Sequence, residues 1–225
     1  MQDSSRSGFV RGIGAAAVAV VALTAGCSMA TVEGKATASG DSYAPAPENQ
    51  DPSLQIPGIV VTEIAPGQPH VRPTQRVAYP SIPPVGGPHD AQWAACTGVV
   101  YAQALRTENA VHALEHGAVW IAYDPAKVSA ADQALLRARV TDRQYTLMSP
   151  IPGMDHPISL QSWGHQLPLT SADDERIDQF IVALRENPYT TPEVGATCSS
   201  PLFDRNNPPP YDPTPPGPDA VPMTG

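Results

Sequence analysis

The chain has 225 residues, 27 of them proline, and a formal net charge of −9. Nucleic acid selects basic surfaces, so no nucleic-acid partner is expected. The prolines crowd into residues 43–88 and 201–222, where apolar periodicity is missing, and what remains is room for one domain.

At the N-terminus, Arg6 and Arg11 precede GIGAAAVAVVALTAG, a run too short to cross a bilayer but of signal-peptide length. It ends at TAGC, with small residues directly before Cys27, and so resembles a lipoprotein lipobox. Thr24 stands where such a box usually has Leu, so ordinary cleavage nearby, for example after Ala30, stays open. The expected organisation is a signal peptide with lipobox over 1–27, a disordered Pro/Ser/Gly-rich linker over 28–56, a single globular His-rich domain over 57–198, and a disordered Pro-rich tail over 199–225. The expected location is the cell envelope: the outer face of the cytoplasmic membrane, with Cys27 as lipid attachment, or a periplasm-like space.

Export makes the other cysteines legible. Cys96 and Cys198 show no CxxC spacing, and in an oxidising compartment two such residues most simply pair. Closing a loop of about 100 residues would stabilise by roughly 4–5 kcal/mol in the chain-entropy view. The alternative is that one of them is a soft metal ligand.

Along the domain, PGIVVTEI (57–64) reads as a short strand, and residues 65–95 hold too much Pro and Gly for regular structure. Thr107 can cap a short helix over 108–116 that Gly117 ends in the left-handed region. AVWIAY (118–123) is a buried strand. Ser129 and Asp132 form a capping box for a helix running to Val140. YTLMSP and PISLQSW are two further strands, joined by IPGMDH. Ser171 and Asp174 cap a last helix whose Ile177, Phe180, Ile181 and Leu184 make one apolar stripe. The expected fold is α+β: a small mixed β-sheet with helices packed on one face and long Pro/Gly-rich loops, which would carry the functional groups.

The chemistry concentrates in VHALEHG (111–117). On a helix, His112 and His116 lie one turn apart on one face, with Glu115 near enough to act as ligand, imidazole partner or base. His70 in GQPHV and His89 in GGPHD sit in glycine-flanked loops that leave their rings free for ligation. Met154, in the IPGMDH turn, offers a thioether that would favour copper, whereas imidazoles alone suit zinc or Cu(II). His165 follows a core tryptophan and reads as structural or solvent-exposed. There is no G-x-S-x-G and no phosphate-cradling loop.

Together, HVRPTQRVAYPSIPPVGGPHD, CTGVVY, VHALEHGAVWIAYDP, PIPGMDHPISLQSWG and PEVGATC resemble the bacterial domain of unknown function family 3105, over residues 57–198. The resemblance implies an exported or membrane-anchored protein and points to His70, His89, His112, Glu115 and His116, but to no reaction. Gly86 and Ser162 depart from the family's usual Ser and Ala. Three readings follow. The first is an envelope metal-binding domain with His89, His112 and His116 as ligands, His70 or Met154 completing the shell, and copper ahead of zinc. The second is a zinc hydrolase using His112-x-x-Glu115-His116, with Glu186 or Glu193 as a further acid. The third is a metal-free domain that docks an envelope protein partner.

Overall fold

The computed structural model describes residues 40–223. The expected signal peptide, lipobox and Cys27 lie outside the described residues. No helix among the described residues is long and apolar enough to cross a membrane.

In chain order the strands and helices are β1 (Val60–Val61), β2 (His70–Val71), β3 (Val77–Ala78), β4 (His89–Asp90), β5 (Thr97–Val100), α1 (Thr107–Glu115), β6 (Val119–Tyr123), α2 (Ala130–Val140), β7 (Thr146–Pro150), β8 (Ile158–Ser162), β9 (His165–Leu169), α3 (Arg176–Leu184) and β10 (Val221–Pro222). Six strands form one mixed sheet in the order β1-β9-β8-β6-β7-β5. The fold is α+β, as the sequence leads one to expect. β6 is central, parallel to β7 and antiparallel to β8, with Trp120 opposite both Leu147 and Gln161. All five of its residues are buried, which explains why VWIAY is apolar throughout instead of alternating.

The sheet separates two apolar clusters. Val119 and Ile121 face Leu136 and Val140 of α2 and Ile177, Phe180 and Leu184 of α3. Trp120 and Ala122 face the other way, towards Val111 and Leu114 of α1. Of the three α-helices among the described residues, α2 and α3 therefore share a face, and α1 lies on the opposite one. Topology supplies the reason. The path from β5 through α1 to β6 moves across the sheet in one direction, and the path from β6 through α2 to β7 moves back. Crossovers of one hand that run in opposite directions place their helices on opposite faces.

Ser129 caps α2 by accepting from the Asp132 amide at 3.2 Å. The caps expected elsewhere differ by a residue or more. Arg106, not Thr107, precedes α1, and α3 begins at Arg176, where Asp174 rather than Ser171 accepts the amide at 2.9 Å. The strand expected over 57–64 is reduced to Val60–Val61, paired to β9. β5 and β9 escape the sequence reading. A register shift between Thr97 and Val99 breaks the alternation of β5, and Pro168 disguises β9.

The proline-rich ends are docked, which corrects the expected disorder of the tail and of the described part of the linker. Asp51 meets His165 Nε2 at 3.0 Å, and Ile56 is buried in the α3 cluster. In the tail, Phe203 is 4 % exposed and meets Tyr101 edge-on with ring centroids 6.0 Å apart. The Arg106 amide donates to Pro209 O at 3.0 Å, Arg76 pairs with Asp212 at 3.1 Å, and β10 runs parallel to β3 with Val221 opposite Val77. Proline cannot donate to a ladder, but its carbonyl accepts normally, so a proline-rich chain can still be fastened from one side. Cys96 and Cys198 are bonded, with Cα atoms 4.7 Å apart.

Two outcomes check this arrangement. Phe203→Ala should lower stability by about 3 kcal/mol, the usual cost of emptying a buried aromatic site, whereas a disordered tail would give no change in a urea melt. Reduction of the disulfide should lower stability by about 4 kcal/mol, read as the shift of the denaturation midpoint with and without dithiothreitol.

Candidate functional site

α1 is buried along all nine residues, although its sequence TENAVHALE is barely apolar on average. Its core face is Ala110, Val111 and Leu114. The opposite stripe, Glu108, His112 and Glu115, follows the i, i+4, i+7 spacing of one helix face and is also shielded from water. Buried polar side chains need partners, and the loops before the helix supply them. Gly117 ends the helix at φ +93°, in the left-handed conformation expected; a Cβ there would stand 3.0 Å from the Thr191 side chain.

The two loop histidines are brought together by a ladder too short to read from sequence. β2 and β4 pair in parallel with His70 directly opposite His89. β4 lies against α1, so both rings reach the helix stripe. Ring centroids of His70, His89 and His112 are 4.7–5.0 Å apart, and His116 lies 4.6 Å from His112. One potential ligand atom from each of His70, His89, His112 and Glu115 falls within 4.8 Å of all the others. His89, His112, Glu115 and His116 are buried, and His70 is exposed at the rim. Trp93 covers His112 and His116, with centroids 5.3 and 4.8 Å away, and Trp163 stands edge-on to His89 at 6.1 Å.

Three of these rings are oriented by backbone carbonyls. Nδ1 of His89 lies 2.8 Å from Gly87 O, Nδ1 of His112 lies 2.6 Å from Asp90 O, and Nδ1 of His116 lies 2.9 Å from Thr197 O. A carbonyl only accepts, so each Nδ1 carries a hydrogen, and a ring with no second proton presents a lone pair at Nε2. This is how metal-ligating imidazoles are held when their other nitrogen bonds outward. Gly87, at φ +109°, is what allows the tight turn that brings its carbonyl under the His89 ring. The Asp90 carboxylate is fixed in turn by Arg106 and by the Gln92 amide at 2.8 Å, and Arg106 also reaches Gln75 O and Glu108.

Nε2 of the fully buried His89 stands 2.9 Å from Glu115 Oε2, without the alignment of a ring N–H hydrogen bond. Burial pushes the Glu115 carboxyl pKa up, but the hydrogen-bonding contact and electrostatic attraction of the His89 ring, with lesser help from the His112 and His70 rings, outweigh it and hold the group below its usual value. A carboxylate and an imidazole lone pair repel at that distance, so the two groups either share a proton or act together as ligands of one ion beside them. His112 itself resists protonation. Burial and the neighbouring imidazoles lower its pKa to about 4, against the opposing hydrogen bond to Asp90 O. His116 is lowered as well, chiefly by burial.

The remaining candidates fall elsewhere. Met154 is 3 % exposed and lines a recess of 590 Å³ with His156, Gln166 and Tyr211; none of the cluster residues forms its wall. The thioether is therefore a core and recess residue. His165 is structural, its Nδ1 donating to Trp163 O at 2.6 Å. Glu193 joins the site at its outer edge, 3.4 Å from His116 Nε2, and completes with His112 and His116 a second group of donors within 4.8 Å of one another. Glu186 lines a neighbouring recess with His116. Trp93, Arg106 and the acceptor carbonyls carried no recognisable motif. Only the density of polar residues on a short helix hinted that something buried must answer them.

The arrangement defines a buried histidine–carboxylate cluster set between two loops and a helix. The chain belongs to the DUF3105 family, described as proteins of unknown function, whose model matches residues 70–200 and so spans every cluster residue from His70 to Glu193. No curated protein and no solved structure matches the chain.

The depressed pKa of His112 has a pH signature. Its folded value of about 4 lies below the unfolded value near 6.5, so between these the unfolded chain binds more protons. Stability is then intact above pH 6.5 and declines as pH falls towards 4. The loss from this residue should be on the order of 2–3 kcal/mol. Urea melts of chelator-treated protein at pH 7 and pH 4.5 measure it, and His112→Asn should remove most of the difference.

Proposed function

We propose that this domain binds one divalent transition-metal ion through His70, His89, His112 and Glu115, in an envelope protein exported and held to the membrane at Cys27. The observation that carries the reading is the convergence of His70, His89, His112 and Glu115, each of which offers a ligand atom within 4.8 Å of all the others. A metal ion would give all four groups a ligand role. Three imidazole nitrogens and a carboxylate oxygen are a borderline-to-hard donor set that suits zinc or Cu(II). Without a thioether among the donors, zinc moves ahead of copper, and Cu(I) loses its support.

Ligand spacing agrees with this reading. Metal–nitrogen bonds of about 2.0–2.1 Å put opposed ligands about 4.2 Å apart, so donors already within 4.8 Å of each other close on an ion by small ring movements. The hydrolase reading is less well served. It needs Glu115 free beside a metal on His112 and His116, but Glu115 is turned to His89, and the third donor near His116 is Glu193.

Titration calorimetry with zinc and copper on chelator-treated, oxidised protein tests the proposal. One ion should bind tightly per chain, and His89→Ala or His112→Ala should weaken it at least 100-fold. At 100-fold excess of free metal over Kd the protein should gain about 2.7 kcal/mol of stability. Unchanged affinity in both variants removes the proposal and leaves a hydrogen-bonded, metal-free cluster, as in a partner-docking domain.

A further inference from the structure

The inner donors do not exhaust the cluster. His112, His116 and Glu193 form a second set whose ligand atoms also lie within 4.8 Å of one another. We propose that this set is an outer station where a divalent cation is captured before it passes to His70, His89 and Glu115, with His112 holding it throughout; the proposal rests on the metal-binding reading above.

The argument begins with His112. Its Nδ1 is committed to Asp90 O at 2.6 Å, so one lone pair, at Nε2, must serve both sets. Both sets cannot hold an ion at once through a single lone pair. They are alternative positions of one ion, related by a short swing about the His112 nitrogen. The centroid of His112 is 4.7 Å from that of His89 on one side and 4.6 Å from that of His116 on the other, so the swing is local.

The two positions differ in access and in donor strength. On the inner side His89 is 0 % exposed and Glu115 7 %, whereas the Glu193 side chain is 53 % exposed. His116 lines a recess of 180 Å³ together with Tyr145 and the acidic Glu186. Glu186 is paired with Arg185 at 2.8 Å, so Glu193, half exposed beside His116, is the carboxylate that an arriving cation meets on this side. The outer set has three donors and the inner set four, so passage inward adds a ligand and exchanges the half-exposed Glu193 for the buried His89 and Glu115.

Glu193 is also built into the site rather than merely near it. Its amide donates to Glu115 O at 3.2 Å, at the end of α1, and the Thr197 carbonyl four residues later orients the His116 ring. Trp93 lies against His112 and His116 together, which closes one flank of the path between the sets.

Stopped-flow absorbance with Co²⁺ on the oxidised full chain tests the station, with Glu193→Gln as the lead variant because the side chain is half exposed and its amide bond is unaffected. A station that the ion leaves behind changes the barrier and not the end state. Association and dissociation rates in Glu193→Gln should therefore fall together, about tenfold, with one tight ion retained and Kd within about twofold of wild type. His89→Ala should lose the tight phase and keep a weak one that disappears when Glu193→Gln is added. Unchanged rates in Glu193→Gln, with the tight phase still dependent on His89, would overturn the station and leave the inner site standing, loaded from the exposed His70 side. A tenfold loss of affinity at an unchanged association rate would make Glu193 a ligand of the resting site and also overturn it. If wild-type protein binds no Co²⁺ tightly, the inner reading falls and the station with it.

Discussion

A hydrogen bond from Nδ1 to a backbone carbonyl fixes each of three imidazoles in this domain, and the geometry of the whole cluster depends on it. The acceptors come from two stretches of chain far apart in sequence, Gly87 O and Asp90 O from one and Thr197 O from the segment before the second cysteine. Each bond selects the tautomer, sets the plane of the ring and aims Nε2 inward. Without those acceptors the histidines would be buried bases in search of partners, at a cost of 1–3 kcal/mol for each unsatisfied group. The Pro/Gly loops, the docked tail and the disulfide can be understood as the means by which those carbonyls are kept in place.

Support for Asp90 shows how far this dependence extends. Its carbonyl holds His112 while its carboxylate is gripped by Arg106, and Arg106 also draws in Gln75 O and Glu108. Glu108 in turn accepts from the Val77 amide at 2.9 Å, in the strand to which the C-terminal segment pairs. The charges of Asp90, Arg106 and Glu108 thus link the cluster, through the Val77 amide, to the strand on which the C-terminal segment pairs. Asp90 and Glu108 are buried and paired, the condition under which buried charges are tolerable.

Sequence made the helix and its donors legible because their information is local. The i, i+4 spacing of His112 and His116, the glycine that ends α1 and the apolar run of β6 are all short-range signals. The convergence of His70 and His89 on that helix rests on a two-residue ladder, too short to leave a pattern. The place of α1 depends on the order of strands in the sheet, which no single segment records. Proline density misled in the tail for a related reason. Proline abolishes donors, not acceptors, and Phe203 and Tyr211 pack on the α1 side of the sheet while the Arg106 amide, Arg76 and β3 hold the rest of the segment. Met154 illustrates the opposite error: a residue chemically suited to ligation whose backbone lies at another recess.

The position of the disulfide has a consequence beyond chain entropy. Cys198 follows directly on Thr197, whose carbonyl orients His116, and the Cys96 amide donates to Cys198 O at 3.0 Å. Breaking the sulfur–sulfur bond would therefore loosen the backbone that steers one imidazole. Under the proposed metal-binding reading, cation capture at that ring would weaken among reducing thiols, which would open the disulfide.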